Sequence, residues 1–235
     1  DKAESIAVIG GGFIGVEFAE QISLLGKKVT LVEMADACLW QAFDKSYTDE
    51  IENMMKDNNI NVLTNTKVKK ILGTKSVEAL ELENGEKIAA DLVILGLGVR
   101  PNGILAKEAG LDVNAKGAIV VDQYTRTSDP DIFAVGDCAE KKCFFTHKDV
   151  PVLLASTAAM EAKIAGSNAF QLRLIRANKG TISAFSTKIF GRTFAAAGIT
   201  EARAKAEGFS INIGEFTTMD RHPGSLPGTS TIKIK

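Results

Sequence analysis

Six residues with the spacing G-x-G-x-x-G, Gly10, Gly11, Gly12, Phe13, Ile14 and Gly15, follow directly on the apolar run Ser5-Ile6-Ala7-Val8-Ile9. Each glycine of the pattern has its own use in dinucleotide binding. Gly10 allows the tight turn, Gly12 lets a pyrophosphate approach the backbone, and Gly15 lets a helix pack closely on a strand. The pyrophosphate is then expected on the unpaired N–H groups at the helix start. Glu33 closes the next β-branched run, Lys28-Val29-Thr30-Leu31-Val32. A carboxylate there accepts hydrogen bonds from the adenosine ribose hydroxyls. The same charge repels a 2'-phosphate, and Met34-Ala35-Asp36-Ala37 offers no lysine or arginine to receive one. NAD is therefore the expected cofactor in preference to NADP. On its own such a glycine run is as often a structural turn; the strand before it, the helix after it and the acid beyond it give it weight.

Those residues need a βαβ unit to hold them. From Phe13 to Leu25 the apolar residues Phe13, Val16, Phe18, Ile22 and Leu25 recur at helical spacing until Gly26, so strand, glycine turn, helix and parallel strand are expected in that order. A second helix is expected over about 43–57, with Tyr47, Ile51, Met54 and Met55 on one face as core filler. Short strands follow at Val62-Leu63, 67–72, 77–82 and 87–94, with Gly73 and Asn84-Gly85 as turn signals, an antiparallel meander inserted into the α/β frame. The run Asp91-Leu92-Val93-Ile94-Leu95-Gly96 reads as a central parallel strand buried on both faces. Beyond the break at 98–102, the sequence predicts a helix over 104–109, strands at 118–121 and 131–137, and an Ala-rich helix over about 154–169. Alternating runs then follow at 181–189 and 209–216 around a short helix that Thr200 can cap and Gly208 ends, an α+β region on an antiparallel sheet.

Composition sets limits on partners. The chain has 235 residues, 45% hydrophobic and 24% charged, with 28 basic against 29 acidic residues and a net charge of -1. That balance points to no nucleic acid and no anionic membrane surface. No apolar stretch reaches the roughly 18 residues of a membrane span and no signal peptide opens the chain, so a cytoplasmic protein is expected. Cys38, Cys138 and Cys143 are odd in number and form no C-x-x-C pair, which indicates neither a disulfide framework nor a zinc site. His147 and His222 are isolated and read as loop residues. The chain opens at Asp1 without a methionine and stops in the alternating run 231–235, which reads as a piece of a longer protein.

Three motifs in order carry a resemblance. They are Ala7-Val8-Ile9-Gly10-Gly11-Gly12-Phe13-Ile14-Gly15-Val16-Glu17; then Ala90-Asp91-Leu92-Val93-Ile94 leading to Gly98-Val99-Arg100-Pro101-Asn102; then Arg126-Thr127-Ser128 with Ile132-Phe133-Ala134-Val135-Gly136-Asp137-Cys138-Ala139. Over essentially its whole length the chain resembles the FAD-dependent pyridine nucleotide-disulfide oxidoreductases, in the branch of NADH oxidases, NADH peroxidases and coenzyme A-disulfide reductases. The resemblance implies a Rossmann-like NAD-binding domain with the inserted meander at 1–99, the C-terminal part of an FAD-binding domain at 100–176, and the truncated start of an α+β dimerisation domain at 177–235.

By the same resemblance Asp137 bonds the ribityl-phosphate part of FAD. The segment around Leu154, Ala155 and Ser156 starts a helix pointing at the flavin pyrimidine edge, where the helix dipole favours negative charge on the reduced ring. Glu17 lies beside the nicotinamide, and Gly98 sits where the backbone passes the NAD. The family's first glycine turn and its redox cysteine precede the NAD domain, and none of the three cysteines here takes that place, so no catalytic residue is assigned. The implied activity is hydride transfer from NADH to FAD and onward to a disulfide, persulfide, peroxide or oxygen, in a homodimer. A ferredoxin- or rubredoxin-type reductase and a non-catalytic NAD-binding module remain open alternatives.

Overall fold

The apolar run after Glu4 forms strand β1 (Ser5–Ile9), whose middle residues Ile6, Ala7 and Val8 are buried. Its neighbours are β2 (Lys28–Val32) and β7 (Leu92–Leu95), both parallel to it; β3 (Ile60–Leu63) pairs with β2, giving the order β3-β2-β1-β7. The computed structural model describes residues 2–171 and 177–235. Between β1 and β2 runs helix α1 (Phe13–Ser23), and between β2 and β3 helix α2 (Lys45–Asp57). The βαβ unit is as the sequence predicts. The face of α1 is so in part: Val16 is buried and Phe13 and Ile22 pack against the core, beside buried Gly15, Ala19 and Glu20, whereas Phe18 is exposed and Leu25, also exposed, lies beyond the end of the helix. On α2 the expectation holds, with Ile51 and Met55 fully buried and Tyr47 and Met54 packed beside them.

Strand β7 corrects a second expectation. It stands at an edge of the sheet, and Leu92 and Leu95 are 46% and 59% exposed. A continuous apolar run signals burial only when layers cover both faces and a strand pairs on either side, and no described strand takes the outer side of β7. Asp91 anchors the start of β7: its Oδ2 accepts the N–H groups of Glu4 and Ser5 at 3.0 and 2.8 Å. The backbone donors, Ser5 first, hold its carboxyl below the usual carboxylate range.

The meander is present with three strands, β4 (Val68–Leu72), β5 (Ala79–Leu82) and β6 (Lys87–Ala89), in antiparallel order. Two ends of the expected meander belong elsewhere. Val62 and Leu63 lie in β3 of the parallel sheet, and the run 87–94 is split between β6 and β7. Leu80, Leu82 and Ala90 share a core with Ala7 and Val32, so the meander packs on one face of the parallel sheet.

After α3 (Ile104–Glu108) the expected strands at 118–121 and 131–137 reduce to single bridges, Val113 with Ile119, Ile119 with Ala139 and Arg126 with Phe133. Side chains take over the backbone donors there: Asn114 Oδ1 accepts from Lys116 and Ala118, and Asp122 Oδ1 from Tyr124 and Arg126. Residues Gly136–Cys138 form a 3-10 turn that packs against α4 (Ala155–Asn168). The boundary expected at Arg176 lies outside the described residues. Strands β8 (Phe185–Ile189) and β9 (Arg192–Ala196) form a hairpin.

The chain divides into two compact units, Asp1–Thr200 and Glu201–Lys235. The second holds α5 (Glu201–Ala206) and the antiparallel pair β10 (Phe216–Met219) and β11 (Thr231–Ile234). Only the end of the alternating run 209–216 becomes strand, since Gly214 interrupts it, and the terminal strand has its partner upstream.

Candidate functional site: the glycine turn and the Gly136–Asp137 turn

The glycine turn is bound into the protein on one side and open on the other. Gly10 N–H donates to Val32 O at 2.8 Å, Gly11 N–H to Glu33 Oε2 at 2.5 Å, and Leu39 N–H to Gly11 O at 2.9 Å. Gly10 has φ of +106°, and a Cβ on it would lie 2.3 Å from Gly96 O; one on Gly15 would lie 1.8 Å from Gly10 O. Gly12 differs from both. Nothing lies within 4 Å of the place its Cβ would take, and it is the N-cap of α1 with no side-chain hydrogen bond to the first turn. First-turn N–H groups have no partner inside a helix, so the open face of Gly12 and the positive end of α1 offer a cradle for a phosphate. That open space is what a dinucleotide pyrophosphate requires, and the residues present fit it.

Glu33 is buried at the rim of this cradle. Its Oε2 takes Gly11 N–H and its Oε1 takes Ala35 N–H at 2.7 Å. Each oxygen keeps a second lone-pair direction for a hydroxyl. The carboxylate thus braces the turn from the side, a role the sequence did not reveal. Beneath Gly11 lies Cys38, whose Sγ is 2.8 Å from the position of a Gly11 Cβ and whose N–H donates to buried Glu52. Burial pushes the Cys38 thiol up to about 12, with the Glu52 and Glu33 charges adding to the shift.

Cys38 should therefore resist alkylation in the native protein at neutral pH, because the thiolate is the reactive form, while half-buried Cys138 reacts. Mass spectrometry after a timed iodoacetamide pulse reads both; equal labelling of the two would contradict the burial. The raised pKa also sets a sign for stability. Its contribution is full below the ordinary value of 9.0 and is lost as pH climbs toward 12.

Glu17 is exposed on α1, one turn beyond the cradle, and accepts the Thr187 hydroxyl on Oε1 at 2.7 Å. Gly98, with φ of +80°, lies beyond the end of β7 in open surroundings. Asp137 sits exposed on the 3-10 turn, and α4 begins beside that turn with Leu154 as N-cap, no side-chain cap, and Ala155 and Ser156 exposed in its first turn. The sequence reading thus gathers into two clusters: Gly10 to Gly15 with Glu33, and Asp137 with the start of α4.

The sequence matches the family described as pyridine nucleotide-disulphide oxidoreductase over residues 1–165. The chain belongs to this family. Among curated proteins it is similar to the NAD(P)H coenzyme A polysulfide/persulfide reductase of Pyrococcus horikoshii, 33% identical over 234 residues, covering 100% of this chain and 52% of the relative. Among solved structures it is similar to the water-forming NADH oxidase of Lactobacillus brevis bound to NADH, with a TM-score of 0.87, 31% identity, and coverage of 99% of this chain and 50% of that one. A NAD-dependent persulfide reductase from A. fulgidus gives 0.87 and 34% identity, over 99% of this chain and 42% of the other. The chain therefore spans about half the length of the relatives it matches. No described helix is long and apolar enough to cross a membrane.

Sequence reasoning passed over a buried ion pair behind the Gly136–Asp137 turn, Lys141 with Glu161. No local pattern marks it, since a lysine in a loop and a glutamate in a helix are individually ordinary. The one available signal was Glu161 on the same helical face as Ile164 and Asn168.

Proposed function

We propose that this chain is the nucleotide-binding portion of a flavin-dependent NADH oxidoreductase, with 1–99 as NAD-binding domain, 100–176 as the returning part of an FAD-binding domain and 177–235 as the start of a dimerisation domain. The observation that carries the reading is the open Gly12 cradle with Glu33 at its rim, in a chain of this family. Gly10 to Gly15 hold the pyrophosphate of NADH, Glu33 the adenosine ribose, and Glu17 and Gly98 flank the nicotinamide end. Asp137 and the start of α4 at Leu154, Ala155 and Ser156 serve the ribityl and ring side of FAD. The sequence has a single G-x-G-x-x-G, so its contribution to FAD lies on that side and not at the FAD pyrophosphate. When bound, the two cofactors supply hydride transfer and its relay to a disulfide, persulfide, peroxide or oxygen. The chain's own residues position them, in a cytoplasmic homodimer.

The test is a titration of the chain with both nucleotides. NADH should bind at least tenfold more tightly than NADPH, because a 2'-phosphate meets the Glu33 carboxylate and breaks its ribose hydrogen bonds, terms of about 1–3 kcal/mol each. Glu33→Gln should narrow that ratio by about tenfold. The purified chain should be colourless and without NADH turnover. Equal affinity for the two nucleotides overturns the NAD assignment; flavin absorbance in the purified chain overturns the division of the FAD site.

A further inference from the structure

The Gly136–Asp137 turn is held from beneath by two buried charges. Lys141 and Glu161 form an ion pair at 3.1 Å, each side chain 3% exposed. Lys141 Nζ pairs with Glu161 Oε2 and donates to Ala139 O at 2.9 Å and to Gly136 O. Glu161 Oε2 also accepts Gly136 N–H at 2.9 Å. Both polar groups of the one glycine that precedes Asp137 are therefore taken by the pair. Gly136 has φ of +77°, a conformation that favours glycine, and it faces Ala158 of α4, whose Cβ would be in ordinary contact at 3.5 Å with a Cβ on Gly136.

Stability alone does not account for this arrangement. Removing two charges from water costs several kcal/mol per ion, and apolar residues of similar volume usually serve the fold as well or better. What an apolar pair cannot do is bind the N–H and C=O of Gly136 together and fix the orientation of the next residue. The pair also joins two elements, since Glu161 belongs to α4 and Lys141 to the loop that follows the turn.

We propose that Lys141 and Glu161 are a positioning pair that locks the Gly136–Asp137 turn against α4, holding the Asp137 carboxylate and the start of α4 in the mutual geometry required by the flavin. The proposal rests on the reading of Asp137 as a flavin ligand. Neither Lys141 nor Glu161 touches the flavin; they act through the turn.

The experiment compares Lys141→Met/Glu161→Leu, Glu161→Gln and Asp137→Asn by thermal midpoint, by amide hydrogen exchange at residues 136–138, and by FAD affinity of the flavin-loaded enzyme. The double variant should keep a midpoint near the parent's, yet exchange at Gly136 and Asp137 should quicken and FAD affinity fall by about tenfold each, the size of one lost hydrogen bond to a charged group. Glu161→Gln retains an acceptor for Gly136 N–H and should exchange at an intermediate rate; it carries the test if the double variant does not fold. Asp137→Asn should weaken FAD to the same degree with exchange unchanged. Parent-like exchange and FAD affinity in the double variant overturn the proposal, leaving the pair a fold element only. If instead the turn loosens but Asp137→Asn binds FAD as the parent does, the reading of Asp137 as a flavin ligand fails while the lock on the turn stands.

Discussion

Gly12→Val is expected to abolish NADH binding while the domain stays folded. The reason is the asymmetry of the glycine turn: Gly10 and Gly15 face backbone, whereas a side chain on Gly12 enters space that no protein atom occupies within 4 Å. Its φ of -73° and ψ of -176° suit any residue, so valine introduces no backbone strain. As an N-cap, valine is poorer than glycine, a loss of about 1 kcal/mol, or roughly 2–4 °C in midpoint for a chain of this size. The branched side chain would stand where the pyrophosphate meets the first-turn N–H groups. In the parent, NADH at a hundredfold excess over its Kd should stabilise the fold by about 2.7 kcal/mol. Differential scanning fluorimetry should show that rise in the parent and none in Gly12→Val. A retained shift would show that the glycines serve the turn alone.

Gly15→Ala should do the opposite and damage the fold itself. The new Cβ would lie 1.8 Å from Gly10 O and 3.5 Å from Val8 Cγ1, so one methyl forces α1 away from β1 at their closest approach. Overpacking against backbone typically costs about 1–3 kcal/mol, and here no flexible side chain can yield, which puts the loss at the upper end. A fall of roughly 6–12 °C in midpoint is expected, with NADH binding weakened only because the turn is displaced. A midpoint within about 2 °C of the parent's would mean that α1 and β1 are less tightly joined than these distances show.

What the sequence made legible follows from range. The strand, glycine turn and helix at 5–23 are encoded by neighbouring residues, and Asn84-Gly85 marks the β5–β6 turn by local chemistry, with Asn84 Oδ1 accepting Glu86 N–H and Gly85 at φ of +85°. Burial is decided by what packs later, and there the pattern misled. Phe18 keeps helical spacing yet faces outward, Leu25 keeps it beyond the end of the helix, and Leu92 and Leu95 sit in an apolar run at a sheet edge. The role of Glu33 as a brace was invisible because the backbone of Gly11 is its partner, and no residue type announces a backbone N–H. Lys141 and Glu161 escaped for a related reason: their meeting depends on where α4 crosses the turn.

The hairpin of β8 and β9 bears on how this βαβ unit can be moved between proteins. Ile189 and Phe194 lie in the same core as Val8 and Ile51, Phe185 stacks on Phe13 with ring centroids 5.6 Å apart, and Phe190 N–H donates to Glu20 on α1 at 2.6 Å. Arg192 pairs with Glu50 on α2. Residues some 170 positions apart in the chain thus close one core, which makes the contact order high and the folding of the βαβ unit dependent on a segment synthesised much later. A graft cut at residue 99 would carry every glycine of the cradle and leave Phe13 and Phe43 without the rings that cover them. The transplantable piece is therefore discontinuous: the βαβ unit together with its distant hairpin.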